Sequence, residues 1–312
     1  MNSFIALDWG TTSLRGARLD SCGKVLEERA FQRGILSVNP GGFQAVFDEC
    51  FGDWMQSDHA ICLMSGMVGS KQGWLEAPYC PCPAGFGDIV KRLVWVDPGR
   101  IAIVPGLHAE HQAADHGMTP APPPGLPDVM RGEETQIYGA LQLLGLQDAV
   151  LVLPGTHSKW VQVRDGLIQS FTTYMTGELY ALLRTHSILS KTLPAHDGEF
   201  IESAFMQGVT VSQQSNSLLS SIFSVRTLSL FDRLPDAALP SYLSGLLIGE
   251  ELRSQELPIS STVLVIGSPA LTTRYRLALT QFDQPTQTLG AEASWAGLWA
   301  IAQNMCVEKN RL

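Results

Sequence analysis

One pattern occurs twice in this chain, once in each half. An apolar strand over residues 3–8 is followed by a turn at Gly10-Thr11-Thr12-Ser13. Two more strands then follow, over 14–20 and 25–31, with Cys22-Gly23 turning the hairpin between them. The second copy opens with Ala149-Val150-Leu151-Val152-Leu153 and turns at Gly155-Thr156-His157-Ser158. It continues as strands over 159–163 and 167–175 around Arg164-Asp165-Gly166. A strand, a small-residue turn and a hairpin recurring together mark a repeated supersecondary unit. Two copies predict two similar α/β domains facing each other across a cleft.

The rest of the chain fits an α/β reading. Phe43, Val46, Phe47, Phe51 and Trp54 have helical spacing within 41–56. Residues 59–65 read as a strand that ends in the Gly-rich loop Ser65-Gly66-Met67-Val68-Gly69-Ser70, and 101–104 as a further short strand. A helix is predicted from Glu133 to Leu144, and helical patterns dominate from there to Gln255 once the second repeat is passed. Residues 262–266 form another apolar strand, followed by a helix from Ala270, and a last helix begins at Gly290. The Pro-rich stretch 117–128 reads as a connector, or as a mobile segment near the cleft.

Composition narrows the function classes. The 312 residues are 45% hydrophobic, enough to bury the cores of two domains. The net charge of −9, with no basic cluster, argues against a nucleic-acid partner. The start Met1-Asn2-Ser3-Phe4-Ile5-Ala6-Leu7-Asp8 lacks the basic region of a signal peptide, and no apolar run approaches the roughly 18 residues a membrane span needs. A cytoplasmic location is expected. Six cysteines are scattered; Cys80 and Cys82 form a C-x-C, but no further pair stands at zinc-ligand spacing, and His108 and His111 do not have the H-E-x-x-H order.

The chemistry concentrates at the repeats. In Asp8-Trp9-Gly10-Thr11-Thr12-Ser13-Leu14-Arg15, a hairpin tip of small residues can wrap phosphate oxygens with backbone N–H groups and hydroxyls. Asp8, at the strand end, can hold Mg²⁺ through water, because hard cations prefer carboxylate oxygen. Gly155, Thr156, His157, Ser158 and Lys159 form the matching tip in the other half. Two opposed phosphate-cradling tips make a nucleotide cleft, where one turn alone does not. Gly267-Ser268-Pro269, between an apolar strand and a helix N-terminus, suits an adenosine. Trp9 and Trp160, beside the two tips, read as core. Ser65, Gly66, Ser70 and Lys71 are candidate contacts for a small polar acceptor, and Arg15, Arg18 and Arg131 are candidate carboxylate clamps.

In this order the motifs resemble those of the sugar kinase, actin and heat-shock chaperone ATPase superfamily. More narrowly they resemble the 2-dehydro-3-deoxygalactonokinase family, above all through Arg131-Gly132-Glu133-Glu134-Thr135-Gln136 and Pro154-Gly155-Thr156-His157-Ser158-Lys159. The resemblance spans essentially the whole chain. It implies two duplicated ribonuclease-H-like (actin-like ATPase) domains facing a central nucleotide cleft, over 1–146 and 147–290. It further implies a final helix within 291–312 packing back on the first domain. The implied activity is transfer of the ATP γ-phosphate, with Mg²⁺, to the 6-hydroxyl of 2-dehydro-3-deoxy-D-galactonate. The implied general base is one of the pair Glu133 and Glu134; Glu134 is favoured, with Glu133 at the metal or a neighbouring base. Other readings are an exopolyphosphatase-like or other phosphohydrolase of the superfamily, a kinase for another sugar or sugar acid, and a repressor or chaperone module.

Overall fold

The computed structural model describes residues 4–110, 125–255 and 262–309. In chain order the first part contains β1 (Phe4–Trp9), β2 (Leu14–Leu19), β3 (Val25–Phe31), α1 (Phe43–Phe51), β4 (Ile61–Ser65), β5 (Cys80–Pro81) and α2 (Phe86–Val90). Then come β6 (Val94–Asp97), β7 (Ile101–Ile103), β8 (Leu107–Glu110), β9 (Pro127–Met130) and α3 (Glu133–Leu144). The second part contains β10 (Ala149–Leu153), β11 (Ser158–Arg164), β12 (Leu167–Tyr174), α4 (Thr176–His186), α5 (Glu202–Gln214), α6 (Leu218–Ser221), α7 (Ser224–Leu230) and α8 (Leu239–Arg253). It closes with β13 (Val263–Ile266), α9 (Pro269–Gln281), β14 (Thr286–Leu289) and α10 (Glu292–Lys309).

Two main sheets share a plan. One has the order β3-β2-β1-β4-β7-β6, the other β12-β11-β10-β13-β14. In each, an antiparallel meander is joined through its first strand to parallel strands. A smaller sheet has the order β5-β8-β9.

Strand periodicity sorts the core. Alternate side chains leave opposite faces of a strand, so Ile5, Leu7 and Trp9 pack with Phe47 and Phe51 of α1. Phe4 and Ala6 face the other way, into a cluster that also holds Ile137 and Tyr138 of α3, Leu298 and Ile301 of α10, and Leu151, Leu153, Leu264 and Ile266 of the second sheet. Val152, Val263 and Val265 point outward to α5, α8 and α9. Burial on both faces is why β1, β10 and β13 read as nearly unbroken apolar runs.

Helices α3 and α10 cross at close range. A Cβ on Gly139 would lie 1.8 Å from the Ala293 carbonyl oxygen, and one on Gly297 would lie 1.8 Å from that of Thr135, so only glycine fits at either position. From α10, the Trp295 indole N–H donates to Glu28 of β3 at 2.9 Å, and Trp299 meets the Phe4 ring edge-on at 5.4 Å.

The structure differs from the sequence reading in places. The helix expected over 41–56 is α1 followed by a 3₁₀ turn at Gly52–Met55, because glycine weakens an α-helix. The last helix begins at Glu292, whose carboxylate accepts the Gly290 N–H at 2.7 Å. Strands β5, β6, β8, β9 and β14 were not foreseen; each has two to four residues, too few to show a period. Pro127 and Asp128, at the end of the supposed connector, belong to β9, an edge strand that tolerates proline. Residues 111–124 of that region, with His111, lie outside the described residues, as does the side chain of Cys306. Cys22, Cys50, Cys62, Cys80 and Cys82 are free thiols, and no cluster of metal-ligating side chains occurs among the described residues.

Candidate active site

Three segments meet at the carboxyl ends of β1 and β4. Asp8 stands opposite Ser65 in the parallel register and opposite Arg15 across the hairpin. The chain leaves β4 through Gly66 at φ 94° and enters α3 through Gly132 at φ 110°, conformations that strongly favour glycine. A Cβ on Gly132 would lie 3.4 Å from the Gly66 Cα, and one on Gly66 would lie 3.3 Å from Asp8 Oδ1. The Ser65 hydroxyl lies 3.2 Å from that of Thr135, which donates to the Gly132 carbonyl at 2.7 Å. Residues 8, 65–66 and 131–135, far apart in the chain, therefore occupy one place.

The two acids that open α3 have different environments. Glu134 has no exposed surface; it accepts the Gly132 N–H at 2.7 Å and the Ser65 hydroxyl at 3.4 Å. Burial, reinforced by the neighbouring Glu133 charge, pushes its carboxyl up to about 8. Glu133 keeps partial solvent access and accepts the Arg131 N–H at 3.0 Å. Burial raises its pKa, the Lys159 ammonium draws it back, and the Asp8 charge adds to the rise. Glu133 thus stands within electrostatic reach of both Asp8 and Lys159. Glu134, the residue favoured from the sequence as the base, is sealed under the helix end, and Glu133 is the more accessible of the two acids.

The first tip keeps Thr11 and Thr12 exposed, with Gly10 and Ser13 half-buried. Its backbone is braced by Ile35, whose N–H donates to the Gly10 carbonyl at 3.0 Å. Asp8 is in direct ionic contact with Arg15.

In the second tip, Gly155, Thr156 and His157 are accessible, and His157 Nε2 lies 2.6 Å from Glu178 of α4. Ser158 and Lys159 are both buried and diverge, as strand neighbours must. The Lys159 ammonium donates to the Val129 carbonyl at 2.9 Å and to Thr173 at 2.6 Å; the Ser158 hydroxyl turns the other way and donates to Glu251 at 2.7 Å. The accessible surface of this tip therefore lies at Gly155, Thr156 and His157, while the side chains of Ser158 and Lys159 are engaged within the protein. Trp9 and Trp160 are buried core residues, their indole N–H groups bonded to the Arg33 carbonyl and to Glu251.

Gly267 is half-buried, while Ser268 and Pro269 are exposed at the start of α9. Behind them lies a cavity of about 70 Å³ between the second tip and the helices, lined among others by Gly155, Tyr180, Ser244, Leu247, Arg274 and Tyr275. Sequence reasoning missed the helical residues of this wall because no local motif marks them. Glu251 did carry a signal, an acid inside a helix that is otherwise buried along most of its length.

Among the acceptor candidates, Ser65 is fully engaged with Glu134 and Thr135, and Lys71 is exposed beside a depression lined by Pro40, Phe43 and Trp74. Arg131 stands out of the three arginines. Arg15 is paired with Asp8, and Arg18 reaches Glu27 at 3.4 Å. Arg131 stacks 4.4 Å above the Tyr79 ring and gives one N–H to the Ala77 carbonyl at 2.8 Å. Among the described residues its Nε and Nη1 are buried without hydrogen-bond partners, as is the Ser70 hydroxyl one residue beyond Gly69, against which Arg131 packs.

The fold is shared with component A of the (R)-2-hydroxyglutaryl-CoA dehydratase of Acidaminococcus fermentans, at 12% identity and a TM-score of 0.50 over 97% of this chain and 99% of that one. Residues 8–301 match the family described as 2-keto-3-deoxy-galactonokinase. The 2-dehydro-3-deoxygalactonokinase of Escherichia coli K12 is 36% identical over 302 residues, covering 96% of this chain and 97% of its own length. A crystal structure described as a 2-dehydro-3-deoxygalactonokinase protein from Sinorhizobium meliloti superposes with a TM-score of 0.85 at 35% identity, over 97% of this chain and 99% of that one. The chain belongs to the 2-keto-3-deoxy-galactonokinase family.

Proposed function

We propose that this chain transfers the γ-phosphoryl group of ATP to the 6-hydroxyl of 2-dehydro-3-deoxy-D-galactonate, a step of galactonate breakdown. The reading is carried by the meeting of Asp8, Gly66 and Glu133 at one point, in a chain of this family. Residues 1–146 and 147–290 serve as duplicated ribonuclease-H-like domains facing the nucleotide, with 291–312 returning to the first. Support comes from the shared strand order of the two sheets and from the Trp295–Glu28 bond. Closure of the two over the substrates would exclude water and limit wasteful hydrolysis.

The roles follow from access. Glu133 takes the proton of the attacking hydroxyl, and Glu134 holds the loop that carries it. Gly10, Thr11, Thr12 and Ser13 on one side, and Gly155, Thr156 and His157 on the other, surround the phosphates. Ser158 and Lys159 brace the second tip from opposite faces. Gly267, Ser268 and Pro269 open the way to the cavity, which takes the base. Asp8 and Glu133 offer hard oxygen ligands of the kind Mg²⁺ accepts directly or through water; the ion would neutralise charge on the phosphates. Arg131, with two unsatisfied buried donors and Ser70 nearby, pairs the sugar-acid carboxylate. Gly66 and Lys71 border the acceptor. No helix among the described residues is long and apolar enough to cross a membrane.

The test is a coupled ADP assay on purified protein across neutral hexoses, aldonic acids and 2-keto-3-deoxy acids. The galacto acid is expected to be the best acceptor. Equal efficiency on glucose or galactose overturns the assignment, and ADP release with no acceptor present indicates a phosphohydrolase instead.

A further inference from the structure

Glu251 lies on α8 with 2% of its surface exposed, and no basic side chain pairs with it among the described residues. Its Oε1 accepts the Ser158 hydroxyl and the Trp160 indole N–H, each at 2.7 Å. Its Oε2 accepts the Tyr275 hydroxyl at 2.8 Å and, in a very short contact, the Thr176 hydroxyl. A carboxylate has about four acceptor sites, and here all are engaged. The donors come from three elements: β11, the start of α4, and α9. An acid buried without a cation is costly unless its hydrogen bonds are complete, so this one carboxylate fixes the three elements in a single relative placement.

Helices α4, α8 and α9 wall the cavity behind the second tip, and β11 leads directly out of that tip. Thr176 and Tyr275 line it, and Gly155, at its edge, precedes Ser158 in the same tip. We propose that Glu251 is a positioning residue for the nucleotide: by clamping β11, α4 and α9 it sets the width of the base cavity and the aim of the second phosphate tip. This rests on the reading of the cavity as the nucleobase site. Glu251 touches no substrate and acts only through Ser158, Trp160, Thr176 and Tyr275. Its effect therefore falls on ATP and not on the sugar acid, whose candidate contacts Arg131, Ser70 and Lys71 lie in loops outside these three elements.

The carboxylate can be replaced by an amide of the same shape. In Glu251→Gln the amide N–H₂ must face one pair of donors. The Trp160 indole cannot accept a hydrogen bond, so the amide nitrogen is forced toward Thr176 and Tyr275 and turns their hydroxyls round. Losing charge-assisted bonds in this way is expected to raise the KM for ATP and the Kd for ADP by about tenfold or more, with the KM for the sugar acid within about twofold. A purely structural role would instead lower the unfolding temperature and the active fraction while leaving both KM values together. If Glu251→Gln does not fold, Thr176→Val and Tyr275→Phe, each removing one donor, carry the same test with an expected several-fold rise in the ADP Kd. Hydrogen–deuterium exchange with ADP separates the two layers of the reading. Absence of ADP protection at 176–180, 244–251 and 271–275 in the unmodified protein overturns the cavity assignment. Protection there, with an unchanged ADP Kd in the folded variants, overturns the role of Glu251.

Discussion

Asp8 and Arg15 face each other across the β1–β2 hairpin, and the guanidinium of one is in direct contact with the carboxylate of the other. The contact holds Asp8 at the carboxyl end of its strand, beside Gly66 and within electrostatic reach of Glu133. Both partners keep part of their side-chain surface exposed, so the pair itself is worth only about 0–1 kcal/mol of stability. In the proposed function its value lies in placing a negative charge where the phosphates and their metal would come. Asp8→Asn is therefore expected to unfold at nearly the unmodified temperature but to lose about 10²–10³-fold in kcat, the scale of an electrostatic contribution made in the transition state. Steady-state kinetics beside a thermal melt decide it; near-normal kcat means that Asp8 holds no catalytic charge.

The two glutamates of α3 should separate cleanly. Glu133→Gln is expected to lower kcat about 10²–10⁴-fold, the usual worth of a positioned base, with little change in ATP affinity. Single-turnover phosphoryl transfer measures this. A larger chemical loss in Glu134→Gln would return the base to the buried residue.

Glu134 should also mark the pH dependence of stability. Its carboxyl is raised in the folded protein from an ordinary value near 4.5 to about 8. The folded state therefore holds a proton that the unfolded chain has released over this range. The associated stability is complete below about 4.5, declines above it, and is lost as pH rises through about 8. Glu134→Gln mimics the protonated form, so its melting temperature should fall less between pH 5 and 8, on the order of the window set by linkage, than that of the unmodified protein. Parallel curves for the two proteins would show that Glu134 does not titrate there.

Arg131 offers a test of acceptor recognition. Its Nε and Nη1 are buried without partners among the described residues, a cost best offset by a carboxylate that accepts both. Arg131→Lys keeps the charge but not the fork. The KM for the sugar acid is expected to rise about 10–100-fold, as for lost hydrogen bonds to a charged group, while the KM for ATP stays level. If the KM for the sugar acid is unchanged by the substitution, the carboxylate is held elsewhere.

The crossing of α3 and α10 gives a prediction about the fold alone. Alanine is the better helix former, by about 1 kcal/mol over glycine. At Gly139 the added methyl would sit 1.8 Å from the Ala293 carbonyl, which cannot yield without moving α10. Overpacking of this kind costs about 1–3 kcal/mol or more and should outweigh the propensity gain. Gly139→Ala is expected to lower the urea midpoint, and a higher midpoint would mean the helices separate freely.

What the sequence determined by itself is what local pattern can encode. The strand–turn–hairpin unit at 4–31 and its partner at 149–174, the helix from Glu133 to Leu144, and the strand entering Gly267 are all legible. Apolar periodicity and small-residue turns act over a few residues and need no partner to be seen. The same holds for the motif set that marks the family, matched over residues 8–301. Which side chain of a motif stays accessible was decided only by the tertiary structure. Glu133 and Glu134 are equivalent as letters, yet the helix turns one under Gly132 and Ser65 and leaves the other open toward Asp8 and Lys159. Ser158 and Lys159 read as one phosphate tip, yet strand alternation sends them to Glu251 on one face and to Val129 on the other. The wall of the cavity behind the second tip, from Tyr180 to Tyr275, comes from helices whose common property is that the fold brings them together. Burial and charge depend on neighbours that lie far away along the chain, and those neighbours are chosen by packing.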